Sequence, residues 1–364
     1  MPAVHADRRA RLAEAVTATG ADLALITRLV NVRYLTGIAS SNAAVLVSAD
    51  GVAVFATDSR YVTAAREIAS DVEVVQERSV ATALATRAAA GRSVRLAVEE
   101  HDVTLALAAE IAKSAQTAEV VHLGQAVEAL RAVKDDDELA LIRQACAISC
   151  RALEDLYAAG RLLGRTEQEV ARDLENRMYR HGADGAAFET IVASGPNSAI
   201  PHHRPTGRTI EHRDFLKIDF GALYRGYHAD CTRTAVVAAE PAGWQREIYD
   251  LVAHAQRLGR EALAVGSECI AVDKASREPI EAAGHGEHFG HGTGHGLGLE
   301  IHEAPTLGYS ATGTLADRMP VTVEPGVYLP GRGGVRIEDT LVVRAAGGPE
   351  LLTTTTKDLL VLDA

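Results

Sequence analysis

The sequence predicts an α+β protein of two domains, and three observations carry that reading. A chain of 364 residues exceeds what a single core usually accommodates. Its first third alternates short apolar strands with helices. The remainder runs helix, helix, strands, and then helix, helix, strands again, which marks an internally duplicated α+β domain with no visible repeat of sequence. The expected division is a smaller α/β domain at 1–125 and the larger duplicated one at 126–364.

In chain order, Leu23 to Thr27 is a short apolar strand. Ala43 to Val47 and Val52 to Ala56 flank Ala49-Asp50-Gly51, a hairpin signal. A helix follows from about Thr63, then a strand at Val94 to Val98 and a helix in LALAAEIAK. Asp58, Arg60 and Tyr61 read as a turn and helix cap. The boundary falls in EALRAVKDDDELALIRQ, where Asp135 to Asp137 favour a helix N-terminus. That helix carries Leu139, Ile142, Cys146, Leu153 and Leu156 and stops near Gly160. A capping box, Thr166-Glu167-Gln168-Glu169, opens the next helix, ending at Gly182. Strands follow around Ala187 to Ala193, Phe215 to Ala222 and Tyr227 to Val237. The second helix pair spans Trp244 to Leu263 and about Ile270 to Ala283, with Pro279 predicting a kink or early end. Strands at Val321 to Glu324 and Val335 to Val343 complete the pattern.

A formal charge of −12 disfavours nucleic acid and anionic membranes as partners. No apolar run approaches the eighteen or so residues of a spanning helix, and MPAVHADRRARLAEAV lacks the apolar core of a secretory signal. Cys146, Cys150, Cys231 and Cys269 form no C-x-x-C pair and read as reduced thiols. These features predict a cytoplasmic protein.

The chemistry concentrates in the last third. Asp219 and Asp230 lie in FLKIDFGALYRGYHADCTRT, His295 in FGHGTGHGLGLEIHE, Glu324 in VTVEPGVYLP and Glu338 in GGVRIEDTLVV. Four carboxylates and one imidazole suit two divalent cations, since clustered acids otherwise repel one another at low dielectric. Strand alternation tests the grouping. Lys217 and Asp219 share one face, and His228, Asp230, Thr232 and Thr234 another, with a turn at Tyr224-Arg225-Gly226 able to bring them together. Glu338 points with Arg336 and Thr340, which leaves Asp339 outward. The glycine-rich stretch around His291 and His295 has neither the P-loop lysine nor the dinucleotide spacing, and H-E-x-x-H is absent. Its glycines let the backbone pass close to metal or substrate.

As a set, NSAIPHHRP, LKIDFGALYRGYHADCTRT, GHGTGHGLGLEIHE, VEPGVYLP and GGVRIEDT resemble the pita-bread metallopeptidases, in the prolidase and aminopeptidase P branch. NVRYLTG and FATDSRYVTAA resemble their smaller creatinase-like N-terminal domain, so the resemblance covers essentially the whole chain. It implies a pita-bread catalytic domain in which Asp219, Asp230, His295, Glu324 and Glu338 are metal ligands, with Asp230 and Glu338 bridging. It implies His202 and His302 as groups that stabilise the oxyanion, His291 as part of the substrate pocket, and Arg336 as a support beside Glu338. Glu324 would take a proton from the metal-activated water. Mostly oxygen donors favour Mn²⁺, with Co²⁺ or Fe²⁺ possible and Zn²⁺ less suited. The implied activity is hydrolysis of an Xaa-Pro bond at the N-terminus of proline-containing peptides, by a homodimer. Thr306 follows His302-Glu303-Ala304-Pro305 where several prolidases carry arginine, which tilts the reading towards the aminopeptidase. The alternative is a catalytically inactive scaffold on the same fold; such proteins lose ligands, and none of the five is missing here.

Overall fold

In the computed structural model, which describes residues 2–363, the chain divides into two units, Met1–Arg131 and Ala132–Ala364. The division lies past the 125/126 boundary read from the sequence. Helix α6 (Ala126–Ala132) explains why: Arg28 donates to Glu128 at 2.7 Å and Arg131 donates to Asn31 at 2.7 Å, both within the first unit.

Six short strands build the first unit: β1 (Leu23–Ile26), β2 (Ala43–Ser48), β3 (Ala53–Thr57), β4 (Glu73–Gln76), β5 (Val94–Val98) and β6 (Ala118–His122). They form one sheet in the order β4-β3-β2-β1-β5-β6. The β1–β2 and β2–β3 pairs are antiparallel and the others parallel. Its helices are α1 (Pro2–Ala18), α2 (Leu29–Thr36), α3 (Val62–Ile68), α4 (Val80–Ala88), α5 (Leu105–Ser114) and α6. Leu84, Ala85 and Ile111 pack on Leu25, Leu46 and Leu96. Asp58 accepts from the Arg60 backbone N–H at 3.0 Å, which makes the expected turn. Helices α1, α2, α4 and α6 and strands β4 and β6 have no counterpart in the sequence reading. The outer strands β4 and β6 bury little side chain, so neither shows a clean apolar alternation.

The second unit repeats one arrangement twice. Helices α7 (Asp136–Ala159) and α8 (Glu167–Arg180) each open on a complete capping box, Asp135 with Glu138 and Thr166 with Glu169. Leu153, Leu156, Val170 and Leu174 pack on Val192, Ile218 and Phe220 of a four-stranded sheet. That sheet runs β20-β12-β9-β8, from β8 (Ile191–Ser194), β9 (Phe215–Phe220), β12 (Cys231–Val237) and β20 (Val361–Leu362). A small sheet of β7 (Gly185–Ala186), β10 (Ala222–Tyr224) and β11 (Tyr227–His228) adjoins it in sequence.

Helices α9 (Gly243–Glu261) and α10 (Cys269–Ala282) begin the second half. Its five-stranded sheet runs β14-β13-β15-β18-β19, from β13 (Gly294–Gly296), β14 (Glu303–Leu307), β15 (Pro320–Val323), β18 (Asp339–Val342) and β19 (Glu350–Leu351). A separate hairpin pairs β16 (Gly326–Leu329) with β17 (Gly333–Arg336). Val272, Val321, Val323 and Leu341 form one cluster of this half, and Ile248, Val252, Val335 and Ile337 another. Pro279 does not end α10 early. It lies in the last turn, where its carbonyl still accepts from Ala283 at 3.1 Å. Among the described residues no helix is long and apolar enough to cross a membrane.

Candidate metal centre

Two local breaks aim the first pair of acids. The runs expected as single strands, Phe215 to Ala222 and Tyr227 to Val237, are each interrupted, at Gly221 and at Ala229-Asp230. At Gly221 a Cβ would stand 1.7 Å from the Ala229 carbonyl oxygen, so only glycine lets these two segments approach. Arg225 and Gly226, both at positive φ (48° and 80°), close a two-residue hairpin in which Tyr224 faces Tyr227. Across the main ladder Asp219 pairs with Thr232 and Lys217 with Thr234. Asp219 therefore shares a face with the threonines, and Asp230 begins one step before Cys231.

The second half brings the remaining groups. His295, in β13, lies with Nε2 3.3 Å from Glu324 and 3.5 Å from Asp230. Its Nδ1 is 3.0 Å from the Gly296 carbonyl, which fixes the ring. Glu324 directly follows β15, and Glu338 stands in the break between β17 and β18. Ligand atoms of Asp230, His295 and Glu338 lie within 4.8 Å of one another. Thr232 donates to Glu338 at 2.7 Å, and Arg336 donates to Asp219 at 2.5 Å.

The electrostatics of this cluster call for cations. Burial, reinforced by the charges of Glu338 and Asp219, pushes the Asp230 carboxyl well above its ordinary range. Burial, with Glu324 and Asp219, does the same to Glu338. Burial also acts upward on Glu324, but its bond to His295 together with the charges of His295, His291 and Arg336 holds it low. Oδ1 of Asp219 and Oε1 of Glu338 are buried and accept no hydrogen bond among the described residues. Such orphaned oxygens are costly in a protein interior unless a cation meets them. An oxygen-rich donor set with one imidazole, two orphaned oxygens and mutual repulsion fits divalent metal.

A cavity of about 680 Å³ opens over the cluster. All nine residues singled out from the sequence line it: Asp219, Asp230, His295, Glu324, Glu338, His202, His291, His302 and Arg336. His202 is exposed on the segment after Pro201. The His302 ring stands edge-on to His295, with centroids 4.4 Å apart; its surface opens to the cavity, yet the surrounding protein desolvates it enough, with the His295 charge, to keep its pKa below the ordinary value. His291 reaches the Tyr328 hydroxyl at 2.8 Å, and burial lowers its pKa.

Residues 140–345 match Metallopeptidase family M24, and residues 8–133 match the Creatinase/Prolidase N-terminal domain. The chain belongs to metallopeptidase family M24. It is 37% identical over 344 residues to the uncharacterized peptidase YqhT of Bacillus subtilis (strain 168), covering 94% of this chain and 96% of that protein. Its structure resembles the Xaa-Pro dipeptidase from Bacillus anthracis with a TM-score of 0.93 and 37% identity, covering 98% of this chain and all (100%) of the other. The X-Pro aminopeptidase from Thermotoga maritima MSB8 gives a TM-score of 0.88 at 34% identity, with 97% and 99% covered. The fold is thus a creatinase-type N-terminal domain followed by the M24 catalytic domain. Membership implies divalent metal ions and peptide substrates, and the Asp230, His295 and Glu338 group can hold a metal.

The M24 chain corrects one expectation and adds residues that strand patterns do not reveal. Asp339 does turn away from Glu338, but it is fully buried rather than outward. It accepts from Arg233 at 2.8 Å and from Gln256 at 2.9 Å, and Lys357 lies 3.0 Å away. Arg336 bonds Tyr328 at 2.8 Å, Thr232 at 3.0 Å and the Pro201 carbonyl at 3.2 Å as well as Asp219. Lys217, fully buried, donates to the Ile200 carbonyl at 2.7 Å. Glu167 accepts from Ser194, Asn197 and Thr206 and lies 2.8 Å from His203. Lys217, Arg336 and Glu167 thereby grip the chain on both sides of His202. Lys217 was legible only as a neighbour on the Asp219 face, and Glu167 only as a helix-capping residue.

Proposed function

We propose that this chain is a dinuclear-metal exopeptidase that hydrolyses the Xaa-Pro bond at the N-terminus of peptides, as an Xaa-Pro aminopeptidase or Xaa-Pro dipeptidase. The observation that carries the reading is the convergence of Asp230, His295 and Glu338 beside buried carboxylate oxygens that lack a hydrogen-bond partner. Both the dipeptidase and the aminopeptidase among the similar structures support the Xaa-Pro class. Asp219, Asp230, His295, Glu324 and Glu338 would hold two cations, and the oxygen-rich donors favour Mn²⁺. When bound, such a pair lowers the pKa of water and polarises the scissile carbonyl.

The remaining work falls to the chain. Glu324, held low beside His295, is the base that takes a proton from the attacking water and returns it to the departing proline nitrogen. His202 and His302 donate to the oxygen on which charge develops. Arg336 orients Asp219 through a direct bond, and His291, held by the Tyr328 hydroxyl, lines one wall. An Xaa-Pro bond has no N–H, so a site that acts through the carbonyl can cleave it where a site needing that hydrogen cannot. The four free thiols suit the cytoplasm, and the family resemblance supports a homodimer.

The test is metal-dependent turnover. Chelator-treated protein is expected to be inactive on Ala-Pro and Ala-Pro-Ala and to recover with Mn²⁺; full activity in a verified metal-free sample would refute the mechanism.

A further inference from the structure

We infer that Arg204 is a specificity-determining residue that receives the free carboxylate of a short Xaa-Pro substrate, with Glu189 holding its side chain until substrate arrives. The inference rests on the Xaa-Pro peptidase reading and names which peptides that site prefers.

Among the described residues lining the cavity only two side chains, Arg204 and Arg336, carry a permanent positive charge. Arg336 is committed: its side chain is 3% exposed and bonds Asp219, Thr232, Tyr328 and the Pro201 carbonyl. Arg204 is the opposite case. Its side chain is 83% exposed, and its ion pair runs through Nε to Glu189, itself 62% exposed, at 3.1 Å. A solvated pair of that kind contributes at most about 1 kcal/mol. A guanidinium has five N–H donors, so exchanging Glu189 for a substrate carboxylate, or accepting both, loses little and can gain a bidentate contact.

Placement makes that exchange useful. Arg204 lies two residues beyond His202, within a segment whose backbone is fixed at both ends. Lys217 donates to the Ile200 carbonyl at 2.7 Å, and Thr206 donates through its backbone N–H to Glu167 at 3.0 Å. Between them His203 is buried against Glu167 at 2.8 Å. The backbone anchor is held at both ends while the charged head is exposed, so only the side chain has to be ordered on binding. Phe188, Ile191, Ile301 and Leu307 add apolar wall to the same cavity, which suits a proline ring.

The test compares Ala-Pro with Ala-Pro amide, two substrates that differ in the terminal charge, using Mn²⁺-loaded protein. Arg204→Ala is expected to raise KM for Ala-Pro by about tenfold to a hundredfold, the scale of a hydrogen bond to a charged group, with kcat nearly unchanged. The amide should respond little, and Arg204→Lys should restore part of the loss. Glu189→Gln is expected to lower KM for Ala-Pro by up to about fivefold, since it releases the guanidinium. Equal changes on both substrates, or none on either, overturn the assignment of Arg204 while leaving the peptidase reading in place. Wild-type protein that cleaves neither peptide overturns both. The amide serves as the folding control, because a misfolded variant would lose it too.

Discussion

Removing the Asp219 or Glu338 side chain takes away a carboxylate whose buried oxygen has no other partner. Asp219→Ala and Glu338→Ala are therefore expected to lose bound metal on dialysis, read by elemental analysis. Asp339→Ala should behave differently despite being next in sequence. It leaves Arg233, 3% exposed, without its carboxylate, so we expect a loss of about 3–5 kcal/mol in denaturant unfolding while the folded protein keeps its metal. Metal loss from Asp339→Ala with unchanged stability would contradict the opposite facing of these two acids. His202→Ala should retain metal and lose roughly 10²–10³-fold in kcat, the scale of one oxyanion donor. Alternation by two was enough to separate Glu338 from Asp339. It could not show that Asp339 is buried, because its partners Arg233, Gln256 and Lys357 come from distant segments.

At the scale of elements, Gly221 is a sharp constraint on the site. Gly221→Ala would drive a Cβ into the Ala229 carbonyl and part the two segments that carry Asp219 and Asp230. Lowered melting temperature together with reduced metal content is the expected outcome. The hairpin at Arg225-Gly226 was legible from its turn residues, and the capping boxes at Asp135 and Thr166 from their spacing. The strand breaks at Gly221 and Asp230 were not, since an alternation by two runs unbroken through both segments. Glu167 adds a pH signature. Burial acts to raise its carboxyl, but bonds from Asn197 and His203, then from Ser194 and Thr206, hold it at about 2 against an ordinary 4.5. A carboxyl lower in the folded state stabilises above the unfolded pKa, so this contribution is complete above about pH 4.5 and fades as pH falls towards 2. Glu167→Gln leaves buried donors short of an acceptor. It should destabilise by about 1–3 kcal/mol at neutral pH and flatten the stability curve across that acid window, measured by urea unfolding.

For the whole molecule, the grouping of ligands matters more than any one of them. Asp219 and Asp230 come from the first helix-pair half of the second unit, and His295, Glu324 and Glu338 from the other half. Hydrogen exchange with and without Mn²⁺ should show protection gained around 215–234 and 321–342, with none in the six-stranded sheet of the first unit. A gain confined to one half would argue against a shared centre. The order of elements made the duplication legible. The motifs likewise grouped acids of both halves in one cluster; the contacts that set their spacing, Arg336 to Asp219 and His295 to Asp230, were not legible, because they depend on long-range packing. The seam between the two halves has a consequence when divalent cation is withheld. Like charges facing each other across it would act as a wedge, so the chelated enzyme should be not merely idle but readier to gape and be nicked by trypsin, with added cation acting as the rivet that shuts it.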